Sequence, residues 1–117
     1  MSATEFGSEI FDLTGKVALL TGGTGIQGSQ LSRAFASFGA RVVIADLDIE
    51  LVSAQAEAIV KDFGTEALGV VCDVSQPNQV NAMVAQAIER FGQIDVLHNN
   101  AATKSKNPGD FFAPFEK

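Results

Sequence analysis

A glycine-rich turn is the first part of this sequence whose residue types and spacing indicate chemistry. Residues 21–28 read TGGTGIQG and lie between an apolar run and a segment with helical spacing. In that position Gly22 permits a tight turn, Gly25 lets the backbone approach a pyrophosphate, and Gly28 allows close helix–strand packing. The free N–H groups and dipole of a helix N-terminus favour a negative charge. The turn therefore predicts a dinucleotide-binding loop.

Asp46 is the second candidate, at the end of the next apolar run. It follows Gly22 by 24 positions, close to the offset of about 20 residues expected for a ribose-binding carboxylate. Such a carboxylate accepts both hydroxyls of the adenosine ribose and repels the 2′-phosphate of NADP. The glycine-rich turn contains no Arg or Lys to attract that phosphate. We therefore predict NAD rather than NADP as cofactor, and we assign Asp48 the simpler role of a helix cap.

Two further polar pairs follow apolar runs. Asp73 and Val74 end the third run, where an ordinary turn explains them equally well. Asn99 and Asn100 end the fourth, and consecutive amides leaving a buried strand are unusual because each needs hydrogen-bond partners. Parallel strands end at a common edge, where ligands bind in open α/β sheets. The four candidates therefore form one predicted site.

The elements that position these residues alternate between strand and helix. We predict strands at 17–20, 41–45, 67–72 and 94–98. We predict a first helix at about 26–38, a second that starts after Asp48 and ends before Gly64, and a third that starts after Ser75, has Pro77 in its first turn and ends before Gly92. Asp48 and Ser75 are the predicted caps of the second and third helices. The predicted apolar faces are Leu31, Ala34, Phe35 and Phe38; Leu51, Ala58, Ile59 and Phe63; and Val80, Val84, Ala87, Ile88 and Phe91. This order predicts an α/β fold, a Rossmann-type doubly wound parallel sheet truncated after about four strands.

Length and charge narrow the class of protein. The 117 residues are expected to form a single domain, 1–117, with an N-terminal extension at 1–11 and a tail at 103–117. The net charge of −6 disfavours binding to nucleic acid or anionic membranes. The single cysteine, Cys72, allows no internal disulfide, and no signal or spanning segment is apparent. We expect a cytoplasmic protein with no metal site.

Four segments together resemble the short-chain dehydrogenase/reductase family. They are DLTGKVALLTGG at 12–23, the Asp46 position, CDV at 72–74 and GQIDVLHNNAA at 92–102. The likeness covers nearly the whole chain after residue 11. It implies an NAD-dependent oxidoreductase acting on an alcohol or carbonyl substrate, with a sugar derivative as one option, and a homo-oligomer at full length.

The resemblance also implies roles for individual residues. Asp46 would hold the adenosine ribose, Asp73 and Val74 would flank the adenine, and Asn100 with Ala101 would lie along the nicotinamide ribose. The residues implied to surround the pyrophosphate are Gly22, Thr24, Gly25, Ile26, Gln27 and Gly28. Asn99, by the same resemblance, would tie the sheet together without touching the cofactor.

The sequence departs from the family pattern in the turn. The single-domain branch usually reads Thr-Gly-x-x-x-Gly-x-Gly, whereas this chain has Ile26 and places the middle glycine at Gly25. That spacing resembles sugar-nucleotide epimerases and dehydratases of the longer branch, which remain an alternative. The usual Asn-Asn-Ala-Gly ends here in Ala102.

The catalytic residues of the family are not found in this sequence. The family uses a serine, a tyrosine and a lysine four residues after the tyrosine, all downstream of the Asn-Asn-Ala-Gly segment. The chain contains no tyrosine, so the general acid for hydride transfer to a carbonyl is missing. We therefore assign no catalytic residue and expect residues 1–117 alone to be inactive. A non-catalytic NAD-binding module is the alternative from another class.

Overall fold

A computed structural model of the protein describes residues 12–99. Within this range strands and helices alternate strictly. The strands are β1 (Val17–Thr21), β2 (Arg41–Asp46), β3 (Ala67–Val71) and β4 (Val96–Asn99), and the helices are α1 (Ile26–Ser37), α2 (Ile49–Phe63) and α3 (Pro77–Phe91). The predicted elements are confirmed, and their bounds differ only slightly at the ends.

The four strands form one parallel sheet in the order β3-β2-β1-β4. Parallel neighbours cannot be joined by a tight hairpin, so a helix makes each crossover. β1 is central, and its last residue, Thr21, lies beside Ala45 on one side and Asn99 on the other. All four strands consequently end at one edge of the sheet. We call this edge the C-terminal rim and define it by Thr21, Asp46, Val71 and Asn99.

Helices cover both faces of the sheet, so the two central strands are buried on each side. α3 packs on the face that carries Leu19 and Val43, whereas α1 and α2 pack on the face that carries Leu20 and Ile44. Successive strand residues point to opposite faces, which is why β1 is apolar at every position except its last. The doubly wound, Rossmann-type fold predicted from the sequence is confirmed.

The predicted apolar faces of the helices are partly wrong. Ala34 is exposed on α1, Leu51 of α2 is 52% exposed, and Ile88 of α3 is 44% exposed. Four predicted residues are confirmed as buried: Ile59, Val80, Ala87 and Phe91. The buried residues that were not predicted are Gly28, Ser32 and Ala36 on α1, Val52 and Ala56 on α2, and Met83 on α3.

A glycine in the sheet explains the orientation of α2. A Cβ added to Gly69 of β3 would lie 2.6 Å from the carbonyl oxygen of Val52. The backbone of α2 therefore rests directly on β3 at this point, and Val52 rather than Leu51 faces the core. Small residues let helix and strand approach in this way, and apolar spacing alone does not reveal the close approach.

The two predicted helix caps have different outcomes. Asp48 caps α2, because its Oδ1 accepts hydrogen bonds from two N–H groups in the first turn at 2.9 and 3.3 Å. The prediction for Ser75 is wrong, since Gln76 is the N-cap of α3 and makes no side-chain cap bond. The Ser75 hydroxyl instead donates to Asp73 at 2.7 Å. A hydrogen bond to a charged carboxylate is stronger than one between neutral groups. The Ser75 hydroxyl therefore bonds Asp73 instead of capping the helix.

Three observations on the described residues concern membrane-spanning helices, metal sites and the single cysteine. No helix between residues 12 and 99 is both long and apolar enough to cross a membrane. The same residues contain no group of three or more His, Cys, Asp or Glu side chains suited to a metal ion. Cys72 is buried in the core, and this burial raises the pKa of its thiol.

Candidate functional site

The glycine-rich turn joins β1 to α1 at the C-terminal rim. Gly22 adopts a left-handed conformation with φ of +66°, which glycine reaches without a steric penalty. The N–H of Gly23 donates to the carbonyl oxygen of Ala45 at 3.2 Å, which ties the turn to β2. A Cβ added to Gly23 would lie 2.4 Å from Ile44 Cγ2. The turn therefore lies in close contact with the end of β2.

Gly28 brings the first turn of α1 against that loop. A Cβ at this position would lie 2.1 Å from the carbonyl oxygen of Gly22 and 2.8 Å from Gly23 Cα. Both atoms belong to the backbone and cannot rotate away. At Gly25 an added Cβ would be in ordinary contact, 3.6 Å from the same Gly22 oxygen. The structure therefore gives Gly28 a packing role, whereas Gly25 has room for a Cβ.

The N-terminus of α1 presents N–H groups at the rim that have no acceptor among residues 12–99. Its N-cap is Gly25, which makes no side-chain cap bond, and the first turn holds no acidic residue. The first N–H groups of a helix lack intrahelical acceptors, and here they belong to Ile26, Gln27 and Gly28. Ile26 is 83% exposed. An uncapped helix N-terminus with no acidic residue in its first turn suits an anionic group such as a pyrophosphate.

Asp46 ends β2 and contacts the turn directly. Its Oδ2 accepts hydrogen bonds from the Thr24 N–H at 3.1 Å and from the Thr24 hydroxyl at 2.5 Å. Its Oδ1 accepts from the N–H of Leu47 at 2.8 Å. The carboxylate is half-buried. The structure therefore brings the predicted ribose ligand and the predicted pyrophosphate loop together.

Asp73 and Val74 follow β3 at the same rim but differ in exposure. The Asp73 carboxylate accepts from the hydroxyl and N–H of Ser75, and these bonds hold the pKa of Asp73 below its usual range. The N–H of Asp73 donates to Gln79 Oε1 at 2.9 Å. Val74 is buried in the core beneath α3. Ser75 and Gln79 thus fix the turn, leaving Asp73 at its surface and Val74 within.

Asn99 links β4 to the centre of the sheet. The hydroxyl of Thr21 donates to Asn99 Oδ1 at 2.7 Å across the β1–β4 pair. This contact agrees with the role predicted for Asn99 in holding the sheet. Asn99 Nδ2 and His98 Nδ1 are buried without a hydrogen-bond partner among residues 12–99. The predicted nicotinamide-ribose residues, Asn100 and Ala101, lie outside the described residues.

Three contacts at the rim were not anticipated from the sequence. Thr21 is fully buried and bonds Asn99, Gln79 supports Asp73, and Thr24 bonds Asp46. The Thr21 contact could have been found from register, because a polar residue ending a buried central strand needs a partner on a neighbouring strand. No sequence signal identifies the other two, which depend on how the turns fold.

The sequence of this chain is similar to those of known dehydrogenases. The family profile of short chain dehydrogenases matches residues 16–114. Momilactone A synthase from Oryza sativa subsp. japonica is 43% identical over 90 residues, which cover 76% of this chain and 31% of the relative. The chain spans about a third of the length of the curated relatives it matches.

Solved structures agree in fold and differ in cofactor. NAD+-bound xylitol dehydrogenase superposes with a TM-score of 0.74 at 31% identity, covering 86% of this chain and 41% of that chain. A metagenomic short-chain oxidoreductase in complex with NADP has the same TM-score of 0.74 at 36% identity, with coverage of 79% and 41%. The fold, the rim and the family profile agree: this chain belongs to the short-chain dehydrogenase family, whose members are oxidoreductases that bind a nicotinamide cofactor.

Proposed function

We propose that this chain forms the NAD-binding region of an oxidoreductase that acts on an alcohol or carbonyl substrate. The observation that carries the proposal is the half-buried Asp46 carboxylate, held against the glycine-rich turn at the end of β2. A negative charge there favours a ribose with free hydroxyls and disfavours a 2′-phosphate. Position 47, directly after this carboxylate, is an exposed leucine rather than a base.

The charge distribution of the described residues supports the same choice. Three of their basic side chains are engaged elsewhere, with Arg33 paired to Asp62 and both Arg41 and Arg90 near Glu66. The turn at 21–28 contains no base. A 2′-phosphate at the rim would therefore meet the Asp46 carboxylate without a compensating cation from the turn.

The chain's own residues would bind and orient the dinucleotide. The N-terminus of α1, with Ile26, Gln27 and Gly28, would hold the pyrophosphate, and Asp46 would hold the adenosine ribose. A bound NAD would supply the hydride acceptor for the reaction.

The remaining sites and the substrate belong to the same proposal. Asp73 and Val74 would border the adenine, and Asn100 with Ala101 would contact the nicotinamide ribose. The proton-transferring residue would come from outside residues 1–117, which contain no tyrosine. A sugar derivative is the proposed substrate class, supported by the likeness to a xylitol dehydrogenase. We further propose that the whole protein works in the cytoplasm as a homo-oligomer.

Direct titration of the intact protein with NAD and NADP tests the cofactor choice. We expect wild type to bind NAD more tightly than NADP. The Asp46→Asn substitution should reduce the ratio of the dissociation constant for NADP to that for NAD about tenfold or more, because the substitution removes a charge facing the phosphate. Asp48→Asn is the matched control: the same chemical change two residues away, at a cap that Asn serves as well as Asp. A wild-type preference for NADP, or equal effects of the two variants, would contradict the proposal.

A further inference from the structure

The hydrogen bonds of Asp46 leave it few free acceptor sites. A carboxylate has about four lone-pair sites. The N–H and the hydroxyl of Thr24 both donate to Oδ2, and the N–H of Leu47 donates to Oδ1. One site therefore remains, on Oδ1. A ribose with two neighbouring hydroxyls has two donors to place, so Asp46 in this arrangement satisfies only one of them.

The second acceptor is the hydroxyl of Thr24 itself. Its proton is committed to Asp46, but a hydroxyl oxygen also accepts hydrogen bonds. Thr24 and Asp46 are both half-buried, so each retains a surface at the rim. We infer that Thr24 and Asp46 hold the adenosine ribose as a pair, one ribose hydroxyl donating to Asp46 Oδ1 and the other to Thr24 Oγ1. This inference rests on the proposed binding of NAD.

The pair would also sharpen the selection against NADP. With its proton directed at Asp46, Thr24 offers the ligand an acceptor and no donor. A 2′-phosphate dianion has no proton to give to either residue, and it would meet lone pairs on both. In addition, the two bonds from Thr24 restrict the Asp46 side chain before ligand arrives, which lowers the entropic cost of binding. Thr24 is thus a specificity-determining residue that the glycine pattern does not reveal.

The experiment removes the Thr24 hydroxyl in the intact protein and removes the ribose hydroxyls from the ligand. Thr24→Val keeps the backbone bond and the side-chain shape but lacks Oγ1. Calorimetric titration would measure dissociation constants for NAD and for its analogues lacking the 2′- or the 3′-hydroxyl of the adenosine ribose. We expect Thr24→Val to weaken NAD binding about 5- to 10-fold, the usual range for one lost hydrogen bond. One deoxy analogue should lose much less affinity than NAD on going from wild type to the variant, because the ribose hydroxyl that donates to Thr24 is already absent from it.

Two further variants separate this role from general damage. Thr24→Ser retains the hydroxyl and should bind NAD within about twofold of wild type, since its hydrogen bond is kept. Thr65→Val is the matched control, because the Thr65 hydroxyl donates to the carbonyl oxygen of Ala40 at the opposite edge of the sheet. It should leave NAD binding unchanged. If Thr24→Val does not fold, Thr24→Ala replaces it in the same set of titrations.

Each outcome decides between specific interpretations. NAD binding unchanged or tighter in Thr24→Val would overturn the inference and assign the ribose to Asp46 alone. Equal weakening of NAD and both analogues would also overturn it, since this is the signature of a merely structural role. Either result leaves the proposed function intact if wild type still prefers NAD. A wild-type protein that binds neither dinucleotide would overturn both.

Discussion

Replacing Gly28 by alanine should change stability in opposite directions through packing in the turn and through helix propensity. Gly28 is the third residue of α1, and on propensity alone alanine would stabilise a helix by about 1 kcal/mol. The structure predicts the opposite sign. The new Cβ would lie 2.1 Å from the Gly22 carbonyl oxygen, whereas real Cβ contacts are essentially never closer than 3.0 Å. The first turn of α1 and the loop must therefore move apart by about 0.9 Å.

The size of the effect follows from the nature of the clashing atoms. Overpacking costs about 1–3 kcal/mol, and a clash with three backbone atoms belongs at the upper end because no rotamer relieves it. After subtracting the propensity gain of about 1 kcal/mol, we expect Gly28→Ala to lower the free energy of unfolding by about 2 kcal/mol. Urea unfolding of the intact protein, followed by circular dichroism, would measure this difference.

Gly25→Ala is the control within the same loop. Its Cβ would lie 3.6 Å from the Gly22 oxygen, so we expect a cost of at most about 1 kcal/mol, from a weaker N-cap. The new methyl group would instead occupy the space proposed for the pyrophosphate and weaken binding of NAD. Equal stability of Gly28→Ala and wild type, or a larger loss in Gly25→Ala, would refute this account of the turn.

Three further predictions concern the helix cap and the rim. Asp48→Ala should lower the free energy of unfolding by about 1 kcal/mol in urea, since two first-turn N–H groups lose their acceptor, whereas Asp48→Asn should be near wild type. Thr21→Val should cost about 1–3 kcal/mol in the same assay because it leaves the part-buried Asn99 Oδ1 without its donor; an unchanged midpoint would contradict it. Ser75→Ala should raise the pKa of Asp73, measured by NMR titration, because its hydroxyl stabilises the charged form. The folded pKa of Asp73 is depressed, so its contribution to stability is present above about pH 4 and is lost as pH falls through the folded value. With alanine the folded and unfolded pKa values lie closer together, so the contribution should be smaller and its loss should be complete at a higher pH.

Residue types and their order determine most of the architecture of this protein. Apolar runs of about five residues separated by helical spacing leave few solutions except a parallel sheet with helical crossovers. The glycines of the turn and Asp46 are candidates for the same reason: their proposed roles depend on backbone conformation and position at a strand end, which are local properties. Asp48 was likewise predictable, because a cap bonds only its own helix.

Tertiary structure decided the features that depend on approach between distant segments. Leu51 points outward because the close contact of Val52 with Gly69 sets the rotation of α2. The Ser75 hydroxyl donates to the carboxylate of Asp73, two residues earlier, and does not cap α3. The bond from Thr24 to Asp46 joins residues 22 positions apart, and it exists only because the turn and the end of β2 meet at the rim. Periodicity describes one segment at a time, whereas contacts of this kind are set by the fold as a whole.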